Sequence, residues 1–537
     1  MKKGTKLLAA GIAASMMLSG CGSVEQTTDT TTTEASGGTV NEQEEPAHIT
    51  VEVFDRGEMT AEYGTPDNNQ WTKWIQDTVK EKLNIDVEFV AIPRSEETTK
   101  ISALIAAGQE PDIFFTYDST FYNNWADDGA LADLTPYIET AGTDLKSYLD
   151  NVLIYGQKDG KQYALNGKRV SQGTFCGFIR KDWLDQLGIE VKERNGVPSM
   201  TPSELQDALV KMKDAGLCKY PFGLALKDGK VQTAEMIVTA FVNSADFENE
   251  ESKAVYYQDA SRVSADGAKE GYRYINQCYN DGLINPDFAL YGDDDLGEWV
   301  ASGQCGFWTT TFWSYEWPDS YIPALYAANS DAEVMAIEIC REDESANQFF
   351  GYAPNGAYAM VSSNCENVEA AVKYLNWLVT DEAHVGLLHG FEDEHWVYNE
   401  DGAMVAKDAE YNAKTRVRTG DLDLLLLNDP CGMTEAGQRV AAENSYDATC
   451  VELNLAAMKI ADAHCVTPTY LVREPESKIE WKAELQENGT NVVIKSIMAA
   501  EDQFDQVFDE NYEIYQQEGF GQVTEEVKEI YAETYKE

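Results

Sequence analysis

Three histidines, His384, His389 and His395, lie close in sequence to the acidic run Glu392, Asp393 and Glu394, residue types that bind transition metals. Their spacing argues against a shared site. On a helix of ~3.6 residues per turn, the step from His384 to His389 rotates the second ring by roughly 140°. The two therefore do not share a face, as the i, i+4 pair of a zincin does. Asp293, Asp294 and Asp295 could attract calcium, but they lack the alternating ligands and central Gly of an EF-hand loop and read as a solvated turn. Cleavage of a glycosidic bond needs two carboxylates roughly 5–9.5 Å apart, and among 93 acidic residues no pattern marks such a pair. There is no Gly-x-Ser-x-Gly elbow and no P-loop. Neither enzyme chemistry nor a metal or cofactor is expected.

The other residue with distinctive chemistry is Cys21. Lys2, Lys3 and Lys6 precede an apolar run, Leu7 to Leu18, of 12 residues, which suits a signal peptide and is too short to span a bilayer. Leu18-Ser19-Gly20-Cys21 then resembles a bacterial lipobox, with cleavage before Cys21 and diacylglycerol on its thiol. The acyl chains would supply the two anchoring signals that stable attachment needs. Residues 22–46, rich in Thr, Glu, Gly and Gln, read as a disordered tether. The other nine cysteines are odd in number and widely spaced, which is neither a disulfide framework nor a zinc site.

A net charge of −52 argues against nucleic acid, since phosphates would be repelled and no basic stripe offsets this. It also disfavours anionic ligands unless a local pocket inverts the field. The body is too long for one core and implies two or more domains. It opens as an α/β unit: a strand over His48 to Phe54, a helix from Gln70 to Leu83, a strand over Ile85 to Ile92, a helix stopped by Gly108, and a buried strand over Asp112 to Phe115. That order implies a parallel sheet with crossover helices, whose ligands bind at the carboxyl ends of the strands. Thr201-Pro202-Ser203-Glu204 is a capping box, Gly303 to Thr309 a buried strand, Asn367 to Thr380 a helix, and Thr524 the cap of a last helix.

The runs Glu81 to Val87, Ala103 to Gly108 and Pro111 to Phe115 together resemble the first lobe of extracellular solute-binding proteins, family 1, the maltose-binding-like group. Gly129 to Pro136, Gly160 to Leu165, Ile179 to Leu184, Gly303 to Trp308 and Asn367 to Asp381 match later parts of that group in order. Gly519 to Val523 resembles its large lipoprotein subgroup. The resemblance implies a periplasmic-binding-protein-like clamshell, two α/β lobes joined by hinge crossovers. Lobe one would be 47–170 with 350–385, and lobe two 171–349 with 386–537. It further implies a monomer held on the outer face of the cell membrane by its lipid. Such a protein would capture an oligosaccharide and pass it to the permease subunits of an ABC importer. A peptide-binding lipoprotein and a surface carbohydrate adhesin are the alternatives.

A sugar ring has one apolar face and a rim of hydroxyls, so its site needs aromatic platforms ringed by polar groups. The resemblance puts a stacking Trp at Trp313. Trp308 and Tyr315, on the same strand and loop, are candidates for contact or for packing. Tyr117 and Asp118 follow the third strand at its carboxyl end, with a helix cap as the other reading of Asp118. Thr174 and Phe175 lie on the first crossover. Arg180 starts lobe two and fits either a ligand or an ion pair. Trp396 follows a stretch loosely similar to a Gly-Glu-Gly-x-His motif of the subgroup.

Overall fold

The computed structural model describes residues 45–535, apart from 58, 60, 170–172, 232, 400–403 and, within 416–444, all but Leu422, Gln438, Arg439, Ala442 and Glu443. Cys21, the expected signal segment and nearly all of the expected tether lie outside the described residues. Strand β1 (Ala47–Asp55) is followed by helix α1 (Gln70–Leu83), strand β2 (Ile85–Pro93), helix α2 (Glu97–Ala107), strand β3 (Ile113–Thr116) and helix α3 (Ser119–Asp127). Local signals account for these limits. Asn69 caps α1 through its side chain, and Asn84 ends it in the left-handed region at φ 55°. Gly108 ends α2 at φ 62°.

β1 pairs in parallel with both β2 and β3. The sheet continues through Asn355–Val361, antiparallel to β3, to Ala164–Lys168. The carboxyl ends of β1, β2 and β3 therefore lie along one edge, at Asp55, Pro93 and Thr116. Ile49, Val51, Ile75, Val79 and Leu375 are fully buried in the core beneath this sheet.

A second sheet has its own core. Phe175–Arg180 lies between Phe307–Thr311 and Val334–Ile339, antiparallel to both. Phe222–Gly223, Val197–Met200 and Lys192–Arg194 complete the sheet. Thr201 and Glu204 form the capping box, with Pro202 in the first turn of Pro202–Asp214. Helices Lys482–Met498, Phe504–Tyr515 and Gly521–Thr534 supply Val492, Phe508 and Val527 to this core. The two sheets make the expected two-lobed α/β fold.

Three expectations shift. The strand after Gly303 begins at Phe307 and runs to Thr311, because 302–306 form the turn that enters it. The last helix already runs from Gly521, entered through a kink at Gly519 (φ 127°), so Thr524 is inside it and not its cap. Residues just past 386 stay with the first sheet. Phe391 and His395 lie against Trp71 of α1, at 5.7 and 5.1 Å between ring centroids, and Leu422 is buried in that core.

The eight cysteines among the described residues are free thiols, and six of them are buried. Burial raises the Cys278, Cys365 and Cys450 thiols to about 12. No described helix is long and apolar enough to cross a membrane.

The loop after Thr311 is fastened to helix Val451–Ala463. Asn454 Nδ2 donates to Glu316 Oε2 at 2.6 Å and to the Phe312 carbonyl at 3.2 Å. Glu316 is fully buried, and desolvation pushes its carboxyl well above its ordinary value of 4.5. A carboxyl with a raised folded pKa gives its full stabilisation below the unfolded value and loses it as pH climbs through the folded pKa. Glu316→Gln keeps an acceptor for Asn454 and cannot ionise. Urea unfolding between pH 5 and 8 should show the parent chain falling behind this variant as pH rises, by about 1–3 kcal/mol, the usual cost of an uncompensated buried group.

Candidate functional site

At the carboxyl edge of the parallel strands, Asp55, Arg56, Pro93 and Arg94 line one end of a groove. Arg94, Glu97, Thr116, Tyr117 and Asp118 continue it. Tyr117 also borders a cavity of about 240 Å³ in which residues from both lobes meet. Asp118 caps α3, accepting from the amides of Thr120 at 2.8 Å and Phe121 at 3.3 Å. It does this while lining the groove, so the two readings of Asp118 are compatible. The Arg94 guanidinium lies 5.4 Å from the Tyr117 ring and is paired with Glu97 at 2.7 Å. Burial raises the Glu97 carboxyl, the largest influence on it, against the pull of Thr116 and Arg94.

The cavity is lined by seven tyrosines: Tyr117, Tyr122, Tyr155, Tyr257, Tyr352, Tyr358 and Tyr470. Tyr122 and Tyr358 stack at 4.6 Å and 17°. Tyr155 and Tyr470 meet edge to face at 5.0 Å. Tyr122 is almost fully buried, and its hydroxyl has no partner among the described residues. Desolvation raises the Tyr155 phenol to about 12, so that hydroxyl stays protonated at neutral pH. On the crossover side, the Arg169 guanidinium lies 4.3 Å over the Tyr352 ring, and Trp313 stacks on Tyr352 at 6.2 Å and 17°. A ladder of cation, phenol and indole thus stands at the cavity wall.

Of the residues singled out from sequence, Tyr117 and Asp118 line the groove, and Trp313 borders it through Tyr352. Half-exposed Trp313 is free of the core that claims its neighbours. Trp308 is a core residue: it is fully buried and stacked on Phe178 at 5.7 Å, because both faces of Phe307–Thr311 are covered, Phe307 packing into one core and Trp308 into another. Tyr315 is buried as well. Its backbone takes the left-handed region (φ 72°), and its hydroxyl donates to the Asp293 carbonyl at 2.6 Å. Phe175 and Thr174 are buried at the start of the second sheet, and the Thr174 carbonyl accepts from the Phe312 amide at 2.9 Å. Arg180 takes the ion-pair reading, binding Asp182 in a fork at 2.8 and 2.5 Å under Trp183. Trp396 is buried in a hairpin, its indole N–H donating to the Gly390 carbonyl at 3.0 Å and its ring meeting Tyr398 edge to face at 5.1 Å.

The acidic and histidine clusters serve structure. Asp295 bonds the Gly292 amide at 2.9 Å in a helix's first turn. His395 Nδ1 accepts from the Phe391 amide at 3.1 Å.

Sequence reasoning missed Arg169, Tyr257, Tyr352, Tyr358 and Tyr470. One signal was available: Arg169 and Tyr352 flank the crossovers expected at 170 and 350, and a ligand between two lobes meets the side chains beside those passages.

The profile of the family described as bacterial extracellular solute-binding protein matches residues 64–385. Lipoprotein LipO of Bacillus subtilis is 22% identical over 233 residues, 41% of this chain and 43% of that protein. A carbohydrate ABC transporter substrate-binding protein of Streptococcus pneumoniae serotype 4 is 24% identical over 332 residues, 59% of this chain and 60% of that protein. The chain thus matches about half the length of these curated relatives. Among solved structures, an HMO-binding, ABC-transporter-associated solute-binding protein from Bifidobacterium longum infantis has a TM-score of 0.62 at 17% identity, covering 91% of this chain and 100% of that one. At that identity the likeness speaks for the fold.

The two tryptophans should separate by experiment. Trp308→Ala should cost about 3–5 kcal/mol in denaturant unfolding, whereas Trp313→Ala should cost under about 1 kcal/mol, because less of its surface is buried.

Proposed function

Because this chain belongs to the bacterial extracellular solute-binding protein family, we propose that it captures an oligosaccharide between its lobes and delivers it to the permease of an ATP-driven importer. The observation that carries this reading is the tyrosine-lined cavity, with the Arg169–Tyr352–Trp313 ladder at its wall. Aromatic faces accept the C–H face of a pyranose. Asn123, Gln258 and Asn355 in the same lining offer bonds to a ring's hydroxyls. The names of the pneumococcal and bifidobacterial relatives support the same ligand class.

We assign the described residues of 47–169 and 351–422 to lobe one, and those of 175–349 and 451–535 to lobe two. A ligand touching both shifts the open–closed balance by its differential affinity for the two states. The protein acts as a monomer on the outer face of the cell membrane. Its anchor is a lipid on Cys21, a reading that the motif Leu18-Ser19-Gly20-Cys21 and the named lipoprotein relative support. The chain does no covalent chemistry on its ligand.

A thermal-shift screen of the full-length chain against oligosaccharides and short peptides tests this. A ligand at about 100 times its dissociation constant adds roughly 2.7 kcal/mol and raises the melting temperature. A glycan should give that shift, and Tyr352→Ala should remove most of it. A shift with peptides alone sinks the ligand class.

A further inference from the structure

Arg169 is an outlier among its neighbours. The chain carries 93 carboxylate side chains against 41 Lys and Arg, so a guanidinium near the cleft has an excess of acids to pair with. Arg473, the other arginine in the lining, is so claimed by Glu526 at 3.1 Å, as are Arg94 of the adjoining groove by Glu97 at 2.7 Å and Arg262 by Glu235 at 3.0 Å. Arg169 lines the cavity, is half-buried, and has no ion pair or side-chain hydrogen bond among the described residues. Its one marked side-chain contact is the Tyr352 face, 4.3 Å away, and a π face takes none of the guanidinium's five N–H donors. Its backbone is fixed, the amide donating to the Pro354 carbonyl at 2.8 Å.

A cation withdrawn from water without a counter-ion is unfavourable unless a ligand supplies one. Desolvation accordingly lowers the basicity of Arg169, with no acid among the influences opposing it. Glu474, the acid in the same lining, is exposed at the rim, near the half-buried amine of Lys478. The interior therefore presents a positive centre inside a strongly negative protein.

We propose that Arg169 is the carboxylate anchor of this cleft, and that the captured oligosaccharide is acidic, bearing a uronate-type carboxylate that the guanidinium grips by a two-pronged, charge-assisted pair. This rests on the oligosaccharide reading and narrows it. A planar carboxylate fits the guanidinium fork, while the tyrosine faces take the rest of the ring. Long-range repulsion from the acidic surface slows the approach of such a ligand, and salt relieves that repulsion while weakening the short-range pair less.

The test is a glycan array holding neutral and carboxylated oligosaccharides, probed with the full-length chain, followed by calorimetry. The best binder should carry a carboxylate, and the same glycan with its carboxyls reduced to alcohols should bind at least tenfold more weakly. Arg169→Gln should bring the acidic glycan down to the level of its reduced counterpart. Arg169→Lys, which keeps the charge and loses the fork, should fall between, with melting temperatures checking that both variants fold. If a neutral glycan binds best, or if Arg169→Gln weakens acidic and reduced forms equally, the carboxylate inference is wrong and the oligosaccharide reading stands. If no glycan binds and peptides do, both fall.

Discussion

Arg169 and residues 173–174, at the two ends of one passage between the lobes, and 350–354, in another, lie beside a third stretch at 465–470. These segments cross between two cores, so their backbone groups need partners that neither sheet supplies. They find them in each other. The Arg169 amide donates to the Pro354 carbonyl at 2.8 Å, and the Gly351 amide to the Val466 carbonyl at 3.1 Å. Phe349–Phe350 pairs in parallel with Cys465–Val466. Gly173 shows how tight the junction is: a Cβ there would come within 2.2 Å of the Ala461 backbone, and its amide donates to Asp462 Oδ1 at 2.7 Å. Arg169, Tyr352 and Tyr470 are presented from these segments, so the mutual satisfaction of the crossovers also fixes the wall of the cavity.

The parallel opening of the first lobe was legible because every cue there is local. α1 runs from Gln70 to Leu83, as its apolar stripe predicts, since Asn69 and Asn84 mark its ends within one turn. The capping box at Thr201 is equally local. The site was less legible. Trp308 and Trp313 lie five residues apart and look alike in sequence, yet a strand covered on both faces buries one against Phe178 while the turn releases the other toward Tyr352. Tyr315 depends on an αL backbone, which no local pattern announces for a bulky residue. Arg180 and Trp396 found partners within six residues of themselves, Asp182 and the Gly390 carbonyl. The pairing of Tyr155 with Tyr470 joins residues more than 300 positions apart, and composition carries no trace of it.

The loop bearing Trp313 is held from behind. Asn454 bridges Glu316 and the Phe312 carbonyl, and the Asp447 amide donates to the Glu316 carbonyl at 2.9 Å. The helix that begins at Val451 thus braces the loop that carries an aromatic platform. A buried polar network of this kind specifies one arrangement of the loop because other arrangements would strand its members.

The buried thiols have a consequence for how the chain matures. A thiol held near pKa 12, as at Cys278, Cys365 and Cys450, is ionised about once in 10⁵ molecules at pH 7. Oxidants and disulfide-exchange partners attack the thiolate, so these cysteines withhold the reactive species once the cores of the lobes have folded around them. Among the described residues the cysteines are free thiols, so this part of the fold needs no disulfide-forming catalyst, and the buried thiols are protected from oxidants by shielding rather than by crosslinks.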